Sequence, residues 1–214
     1  MSKKQKDLFL EFEANNWFER NKKVLDSIRA EEDLLLKEIL DLTKSDTAKP
    51  LSLLEIGCGN GKRLAELQKN GFQVIGLDPS KAAIKVASEK GVEAKVGTAD
   101  ELPFPDNNFD ILVFGFCLYL CDRDDLFRIA SEANRVLKET GYLFILDFYS
   151  KNETSNDYHH LAGVKSYKMD YRKLFDWHPS YSLVKQMVGS HYGFKQTDDK
   201  NEWISISVLR KKDG

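Results

Sequence analysis

The segment LLEIGCGNGKRL, residues 53–64, combines an acid and three glycines in a pattern that could bind a small charged ligand. Glu55 lies near the end of an apolar run, and Gly57, Gly59 and Gly61 follow it at alternate positions. Glycines let the backbone approach a ligand closely, and the N-terminus of the helix predicted after them can hold an anionic group. The sequence therefore predicts a ligand-binding turn with a carboxylate beside it.

Two nucleotide-binding patterns do not fit this turn. A P-loop has the form GxxxxGK[ST], but Ile56 stands in place of its first glycine and Arg63 in place of its Ser or Thr. The dinucleotide fingerprint is GxGxxG, whereas this turn reads GxGxG, and a pyrophosphate would be repelled by Glu55. S-adenosylmethionine has no phosphate, and a nearby acid favours its ammonium and sulfonium groups. Lys62 leaves a phosphate ligand open as the alternative.

Two further acids follow apolar runs in the same way. Asp78 comes 21 residues after Gly57, at the end of the second predicted strand, where an acid can accept hydrogen bonds from both ribose hydroxyls. Asp100 follows the third predicted strand in GTADELPFPDNNFD, where it could accept one from the exocyclic amine of adenine. Open parallel sheets bind ligands at the carboxyl ends of their strands, so these acids and Glu55 are expected at one crevice.

An alternation of strands and helices between residues 51 and 147 predicts the parallel sheet that positions these acids. The predicted strands are LSLLEI, FQVIGLD, VEAKVG, FDILVFGF and YLFILDFY. The predicted helices between them are NGKRLAELQKN, PSKAAIKVASEKG and DRDDLFRIASEANRVLKETG, the last of which is expected to end at Gly141. FDILVFGF is almost wholly apolar, which is typical of a central strand.

The flanking segments show weaker patterns. The first 50 residues predict helices, with a Thr-Lys-Ser-Asp-Thr linker before Pro50. KNETSNDYHHLAGVKSYKMDY predicts an irregular loop with a short helix, and YSLVKQMVGSHYGF predicts a last helix. WISISVLRK alternates like a partly exposed closing strand, and Gly193–Gln196 is expected to begin the strand that pairs with it.

Composition and charge favour a small-molecule or protein substrate. The 214 residues are 42% hydrophobic, enough for one sizeable core, and a net charge of -2 argues against nucleic acid or an anionic membrane as partner. Acids interrupt the apolar part of MSKKQKDLFLEF, so we expect no export, and no apolar run approaches the roughly 20 residues of a membrane span.

Three cysteines suit free thiols in a reducing cytoplasm, and their spacing to histidines matches no common zinc site. We expect no metal, and the oligomeric state stays open.

Five pieces of the sequence, in this order, resemble class I S-adenosylmethionine-dependent methyltransferases of the subgroup whose acidic loop reads like LPFPDNNFD. They are LEIGCGNG, VIGLDPS, GTADELPFPDNNFD, ILVFGFCLYL and RVLKETGYLFILDF, within residues 51–149. EANNWFERNK, near the start, is similar to methyltransferases of bacterial surface-polysaccharide and glycan clusters. The resemblance implies a Rossmann-like, doubly wound α/β fold with a seven-stranded, mostly parallel sheet and an antiparallel last strand. Residues 1–49 would form a helical lid that makes one globular unit with a methyltransferase domain at residues 50–214.

The resemblance also implies S-adenosyl-L-methionine as cofactor and S-adenosyl-L-homocysteine as product. The glycine turn would surround the methionine part, with Glu55 near its amino group, Asp78 at the ribose and Asp100 at the adenine. By position, the implied cofactor-binding residues are Glu55, Gly57, Cys58, Gly59, Gly61, Asp78, Pro79, Asp100, Glu101 and Phe116. Trp17 and Arg20 are candidates from the lid, where an arginine could pair with the cofactor carboxylate.

The methyl acceptor is expected to be a small molecule, with a sugar or glycan precursor as one candidate. A hydroxyl acceptor must lose a proton, and histidine suits this at neutral pH, so His159 and His160 are candidate general bases, with Tyr119 close by. One alternative is a protein that binds S-adenosylmethionine without catalysis, although such a protein does not need the aromatic segment from Tyr149 to Tyr171. An NAD(P)-dependent oxidoreductase is a second alternative, which the GxGxG spacing and Glu55 disfavour.

Overall fold

A seven-stranded sheet with helices on both faces forms the centre of the computed structural model, which describes residues 4–43 and 49–213. The fold class predicted from the sequence, a Rossmann-like α/β fold, is confirmed. The strands of this sheet are β1 (Ser52–Ile56), β2 (Gln73–Asp78), β3 (Ala94–Val96), β4 (Phe109–Gly115), β5 (Leu137–Phe148), β8 (Tyr181–Ser190) and β9 (Trp203–Lys211). Their order across the sheet is β3-β2-β1-β4-β5-β9-β8. Strands β1 to β5 pair in parallel, and β9 is antiparallel to both its neighbours.

The central strand β4 is buried on both faces of the sheet, as its apolar sequence predicts. Leu112 and Phe114 belong to one hydrophobic layer, whereas Ile111 and Val113 belong to the other. Alternate side chains of a strand point to opposite faces, so this single strand contributes to both layers. The helices that cover the sheet after β1 are α4 (Lys62–Lys69), α5 (Lys81–Glu89) and α6 (Leu126–Val136).

The N-terminal region is helical, as predicted. It contains α1 (Gln5–Leu8), a π-helical turn (Phe9–Glu13), α2 (Ala14–Ser27), a 3-10 turn (Ala30–Glu32) and α3 (Leu34–Leu42). Leu35 and Ile39 of α3 are fully buried in one of the layers that cover the sheet, so α3 packs as part of the core. Most of the linker predicted before Pro50 lies outside the described residues. Among residues 4–43 and 49–213, no helix is both long and apolar enough to cross a membrane.

The prediction that the last covering helix continues to Gly141 was wrong. That helix, α6, ends at Val136, and the chain enters β5 at Leu137, which pairs with Phe109 and is fully buried. The ladder then shifts register before Ile111 pairs with Tyr142. Burial of Leu137 and backbone pairing with β4 outweigh the local helix preference of this segment, because propensity differences are at most about 1 kcal/mol per residue outside proline.

Three predictions for the C-terminal third were also wrong. The polar segment is mainly a hairpin of β6 (Thr154–Asp157) and β7 (Lys165–Lys168), followed by a 3-10 turn. The segment predicted as a last helix is β8, and residues 193–196 form a turn instead of a strand. In that turn Gly193 and Phe194 have positive φ angles, and the Ser190 N–H donates to the Lys195 carbonyl at 2.8 Å. Strand pairing with β9 decides the conformation of β8, a long-range contact that local periodicity does not show.

Candidate functional site

A cavity of about 620 Å³ lies at the carboxyl ends of β1, β2 and β4, beneath α1 and α2. Its volume lies in the range of small-molecule sites. Ten of the residues singled out in the sequence contribute to its lining: Trp17, Glu55, Gly57, Cys58, Gly59, Asp78, Pro79, Asp100, Phe116 and Tyr119. These residues come from five separate segments of the chain, and parallel pairing brings together the four segments that follow strands. The remaining five, which are Arg20, Gly61, Glu101, His159 and His160, are absent from the lining.

The glycine turn has a different requirement at each glycine. Gly57 has a φ of +79°, and a Cβ there would lie 2.7 Å from the Gly115 carbonyl oxygen. Gly59 has a φ of +52° and open space on the cavity side, with no atom closer than 3.7 Å to a built Cβ. A Cβ on Gly61 would lie 2.8 Å from the Cβ of Ala87, so this glycine lets α4 pack against α5. The sequence pattern thus contains both site glycines and a packing glycine.

Glu55 is buried, with 2% of its surface exposed, and forms an ion pair with Arg63. Arg63 also donates from Nε to Asp33 at 2.7 Å, so one guanidinium joins two carboxylates. The other oxygen of Glu55, Oε2, is buried without a hydrogen-bond partner among the described residues. Burial raises the pKa of Glu55 to about 7, against the charge of Arg63, which lowers it. A cation in the cavity would satisfy this oxygen and favour the ionised form.

Asp78 accepts two backbone hydrogen bonds at the mouth of the glycine turn. The Gly59 N–H donates to its Oδ2 at 2.9 Å, and the Ser80 N–H donates to its Oδ1 at 2.8 Å. Burial raises the pKa of Asp78 to about 6, and these two bonds oppose that rise. Each carboxylate oxygen accepts more than one hydrogen bond, so Asp78 can also accept from a ligand hydroxyl.

Asp100 lines the far side of the cavity and is engaged by the N-terminal segment. Lys6 Nζ lies 2.5 Å from Asp100 Oδ2, and the Lys6 backbone N–H donates to Asp122 at 2.8 Å. Burial alone would raise the pKa of Asp100, but its hydrogen bonds with Lys6 and Thr98 lower it below the ordinary value. The neighbouring Glu101 is exposed.

Side-chain hydrogen bonds attach α2 to the site. Asn15 accepts from the Ser80 hydroxyl at 2.9 Å, and Asn60 donates to Asp26 at 2.7 Å, so both ends of α2 are held to the loops after β1 and β2. Trp17 Nε1 donates to the Tyr119 hydroxyl at 2.9 Å. Arg20, in contrast, pairs with Glu13 outside the cavity lining.

His159 and His160 are exposed, and the structure does not bring them to the cavity. Their neighbour Tyr158 donates to Glu13 at 2.7 Å, so this segment packs against the N-terminal helices. The histidine that lines the cavity is His191, in the turn after β8. Sequence reasoning missed it because that turn was assigned to a helix. The available signal was the run HYGF, in which a glycine follows two aromatic rings and indicates a turn.

Arg63, Asp33 and Lys6 are further polar residues of the site that sequence reasoning did not identify. Lys6 pairs with Asp100, and Arg63 pairs with both Glu55 and Asp33. No motif in the sequence marks these three residues. In the described part of the chain, no group of three or more His, Cys, Asp or Glu side chains could hold a metal ion. The three cysteines are free thiols.

A model of the methyltransferase domain family matches residues 54–145, from β1 into β5. The uncharacterised methyltransferase YcgJ of Bacillus subtilis is 36% identical over 109 residues, which are 47% of this chain and 42% of that protein. A demethylmenaquinone methyltransferase of Listeria monocytogenes is 35% identical over 126 residues, 54% of this chain and 52% of that protein. This chain thus spans about half the length of these curated relatives.

A solved structure extends the likeness to nearly the whole chain. It is the 1,6-didemethyltoxoflavin-N1-methyltransferase of Burkholderia thailandensis, with bound 1,6-didemethyltoxoflavin and S-adenosylhomocysteine. It superposes with a TM-score of 0.72 at 16% identity, over 92% of this chain and 85% of that one. At this identity the likeness is one of fold. Residues 54–145 are thus similar to the methyltransferase domain family, and the chain has the fold of the Burkholderia structure.

Proposed function

We propose that this protein transfers a methyl group from S-adenosylmethionine to a small-molecule acceptor. The observation on which the proposal rests is the unpaired Oε2 of Glu55, buried at the cavity beside the glycine turn. A buried carboxylate oxygen without a partner is costly, and a ligand ammonium removes that cost. The matched domain family and the relatives named as methyltransferases support the same activity.

The polar residues of the cavity fit this cofactor better than a phosphate-containing one. Glu55 takes the amino group, Asp78 takes the ribose hydroxyls, and the Gly57–Gly59 backbone allows close approach. Asp100 accepts from the adenine amine when Lys6 releases it. Seven acids and four lysines or arginines line the cavity, and this excess of acids disfavours a pyrophosphate.

The cofactor supplies an electrophilic methyl group when it is bound, and the protein has to position both reactants and exclude water. The segment from α1 to α2, residues 4–27, acts as the lid. It covers the cavity with Trp17, whose indole N–H is fixed by Tyr119. The lid proposed from the sequence spans residues 1–49; we limit it to residues 4–27, because Leu35 and Ile39 of α3 belong to the core.

The proposed acceptor is a small molecule, like the 1,6-didemethyltoxoflavin bound in the Burkholderia structure. A sugar or glycan precursor is the finer candidate, and its support is the likeness of EANNWFERNK to methyltransferases of glycan clusters. Acceptor screening with S-adenosylhomocysteine formation as readout tests this candidate directly. Turnover with any acceptor also separates an enzyme from a protein that only binds the cofactor.

Ligand binding by calorimetry tests the proposed cofactor. We expect S-adenosylhomocysteine and S-adenosylmethionine to bind with micromolar-range affinity and NADH not to bind, because the turn has no phosphate site and Glu55 repels a pyrophosphate. The matched control is the Glu55→Gln variant, which keeps the shape of the side chain but removes its charge, and which should weaken binding of both S-adenosyl ligands because each carries the same ammonium group. Tighter binding of NADH than of S-adenosylhomocysteine would contradict the proposal.

Protection of the lid from protease tests its role. We expect saturating S-adenosylhomocysteine to slow tryptic cleavage after Lys22 and Lys23 in α2 by at least roughly tenfold, because the bound ligand stabilises the closed lid against opening. Mass spectrometry of the fragments over time measures the rates. Cleavage after exposed Lys173, in the 3-10 turn beyond β7, is the internal control and should not change. Equal slowing at both places, or none in α2, contradicts a lid.

A further inference from the structure

The cavity has an aromatic end beyond the glycine turn. We use this name for the side chains of Trp17, Phe116, Tyr119, Phe148, His191 and Tyr192, all of which line it. Tyr119 contacts Phe148 edge-on at 5.0 Å between ring centroids, and the His191 ring stacks on Phe148 at 5.5 Å with an interplanar angle of 22°. Phe116 meets both Phe148 and His191 within 5.5 Å. These rings form adjoining flat apolar surfaces.

Phe116 places this aromatic end next to the proposed cofactor position. Phe116 follows Gly115 in the chain, and a Cβ built on Gly115 would lie 2.9 Å from Glu55 Oε1. The backbone before Phe116 therefore passes close to the Glu55 carboxylate. Phe116 has a φ of +51°, which is unfavourable for a bulky side chain, and its N–H donates to the Leu146 carbonyl at 2.8 Å. Such strained conformations cluster at functional sites, where the surrounding structure holds them. With this backbone conformation the Phe116 ring lies against Phe148 and His191 in the cavity lining.

His191 is held at this end by its backbone. Its N–H donates to the Glu202 carbonyl at 2.8 Å, and the turn that follows it is closed by hydrogen bonds between Ser190 and Lys195. The outer part of the residue is exposed to solvent, while one ring face lies on Phe148. A proton taken up by the imidazole on the cavity side can therefore be released to water.

Burial favours the neutral imidazole of His191 at pH 7. Burial against the neighbouring rings lowers its pKa, and Lys168 on β7 acts in the same direction, while Glu202 before β9 opposes them. Tyr192 is the other titratable side chain beside it, at 5.4 Å between centroids. Tyr119 does not suit proton uptake, because burial raises its pKa far above neutral and its hydroxyl already accepts from Trp17.

We infer that the aromatic end binds a planar aromatic acceptor with a ring hydroxyl, and that His191 accepts the proton of that hydroxyl. This inference rests on the proposed methyltransferase function. The hydroxyl oxygen forms a bond to the methyl carbon as the carbon–sulfur bond breaks, and that bond's electron pair stays on sulfur, which becomes a neutral thioether. The hydroxyl proton moves to an unprotonated ring nitrogen of His191 and then to solvent.

The side chains at this end favour an aromatic ring over a sugar. A sugar presents several hydroxyls that need hydrogen-bond partners once they leave water. The aromatic end offers few, since the Tyr119 hydroxyl is already engaged by Trp17. None of its six side chains is a lysine or an arginine; Lys168 Nζ lies 5.4 Å from the centroid of the Phe148 ring but is absent from the cavity lining. Flat rings, in contrast, stack on aromatic side chains.

Binding and nuclear magnetic resonance with 2-naphthol test the inference apart from activity. We expect the complex with S-adenosylhomocysteine to bind 2-naphthol at least tenfold more tightly than methyl glucoside. One histidine resonance, identified by its absence in His191→Gln, should shift when 2-naphthol is added, and 2-methoxynaphthalene should shift it less because it lacks the hydroxyl. A resonance that does not move overturns the inference, whereas failure of S-adenosylhomocysteine itself to bind overturns the proposed function as well.

Turnover of 2-naphthol with S-adenosylmethionine tests the proton transfer. We expect His191→Gln to lower turnover by roughly 10²-fold or more, with little change in binding of either ligand. Wild-type turnover should fall at acidic pH, because protonated His191 accepts no proton, and the fall should lie below the pH at which an ordinary histidine titrates because burial lowers the pKa of His191. The variant should show no such fall. His178→Gln, at a half-buried histidine outside the cavity lining, is the control. Binding without turnover, or a loss in His160→Gln but not in His191→Gln, overturns the inference.

Discussion

Replacing Asp78 with asparagine is expected to weaken binding of S-adenosylhomocysteine by at least roughly tenfold, without unfolding the protein. The carboxylate is proposed to accept charge-assisted hydrogen bonds from two ribose hydroxyls, and each is worth about 1.5 to 3 kcal/mol. Asparagine keeps the size of the side chain and one oxygen for the Gly59 or Ser80 N–H. Titration calorimetry measures the dissociation constant, and circular dichroism verifies the fold.

The pH dependence of this effect has a defined sign. The pKa of Asp78 is raised to about 6 by burial, so acid converts the wild-type side chain to its neutral form. Hydroxyl donors favour the ionised form, so wild-type affinity falls as the pH drops below 6. The ratio of wild-type to variant affinity should therefore shrink between pH 7 and pH 5. A constant ratio, or an unchanged dissociation constant in the folded variant, would remove Asp78 from the site.

The matched control is Asp110→Asn, at the opposite end of the parallel strands. Asp110 accepts a hydrogen bond from the Ser52 N–H at 2.8 Å and forms an ion pair with Lys138. These contacts lie at the start of β1 and β4, whereas the glycine turn follows the end of β1. Its loss is expected to affect stability and leave ligand affinity unchanged. Equal weakening by both variants would indicate a general effect on the sheet and not a contact at the site.

Gly57→Ala is expected to destabilise the protein by about 3 kcal/mol, which lowers the melting temperature by roughly 10 °C. The added methyl meets the Gly115 carbonyl oxygen at 2.7 Å and Cys117 Cβ at 2.9 Å, and the φ of +79° is unfavourable for alanine. These neighbours are a backbone carbonyl and the Cβ of half-buried Cys117, which are fixed to the main chain, so they cannot move aside without shifting the backbone. Differential scanning calorimetry without ligand measures the change.

Gly91→Ala separates the clash from the backbone strain. Gly91 has a φ of +78°, close to that of Gly57, but no atom lies within 4 Å of a Cβ built there. It should therefore lose only the cost of the left-handed conformation, about 1 to 2 kcal/mol. If the two variants are equally destabilised, the close packing of Gly57 against the end of β4 does not contribute, and the turn is more adaptable than the structure indicates.

The sequence by itself determined the elements whose signals are local. The apolar runs of β1, β2 and β4 and the covering helices α4 and α5 are visible as periodic patterns, and the glycine turn is visible as a motif. Because parallel strands end at one edge, the placement of Glu55, Asp78 and Asp100 at a common cavity followed from their positions after those strands. The predicted fold class followed from the same alternation.

Tertiary structure decided what depends on contacts between distant residues. The sequence showed Glu55 but not its partner Arg63 or the shared Asp33, and it showed Asp100 but not Lys6, 94 positions away. It also placed β8 in a helix, since the pairing of β8 with β9 exists only after folding. It therefore did not show that the turn after β8 brings His191 onto Phe148. Long-range pairing energy exceeds local propensity, so such residues are found only when the chain is folded.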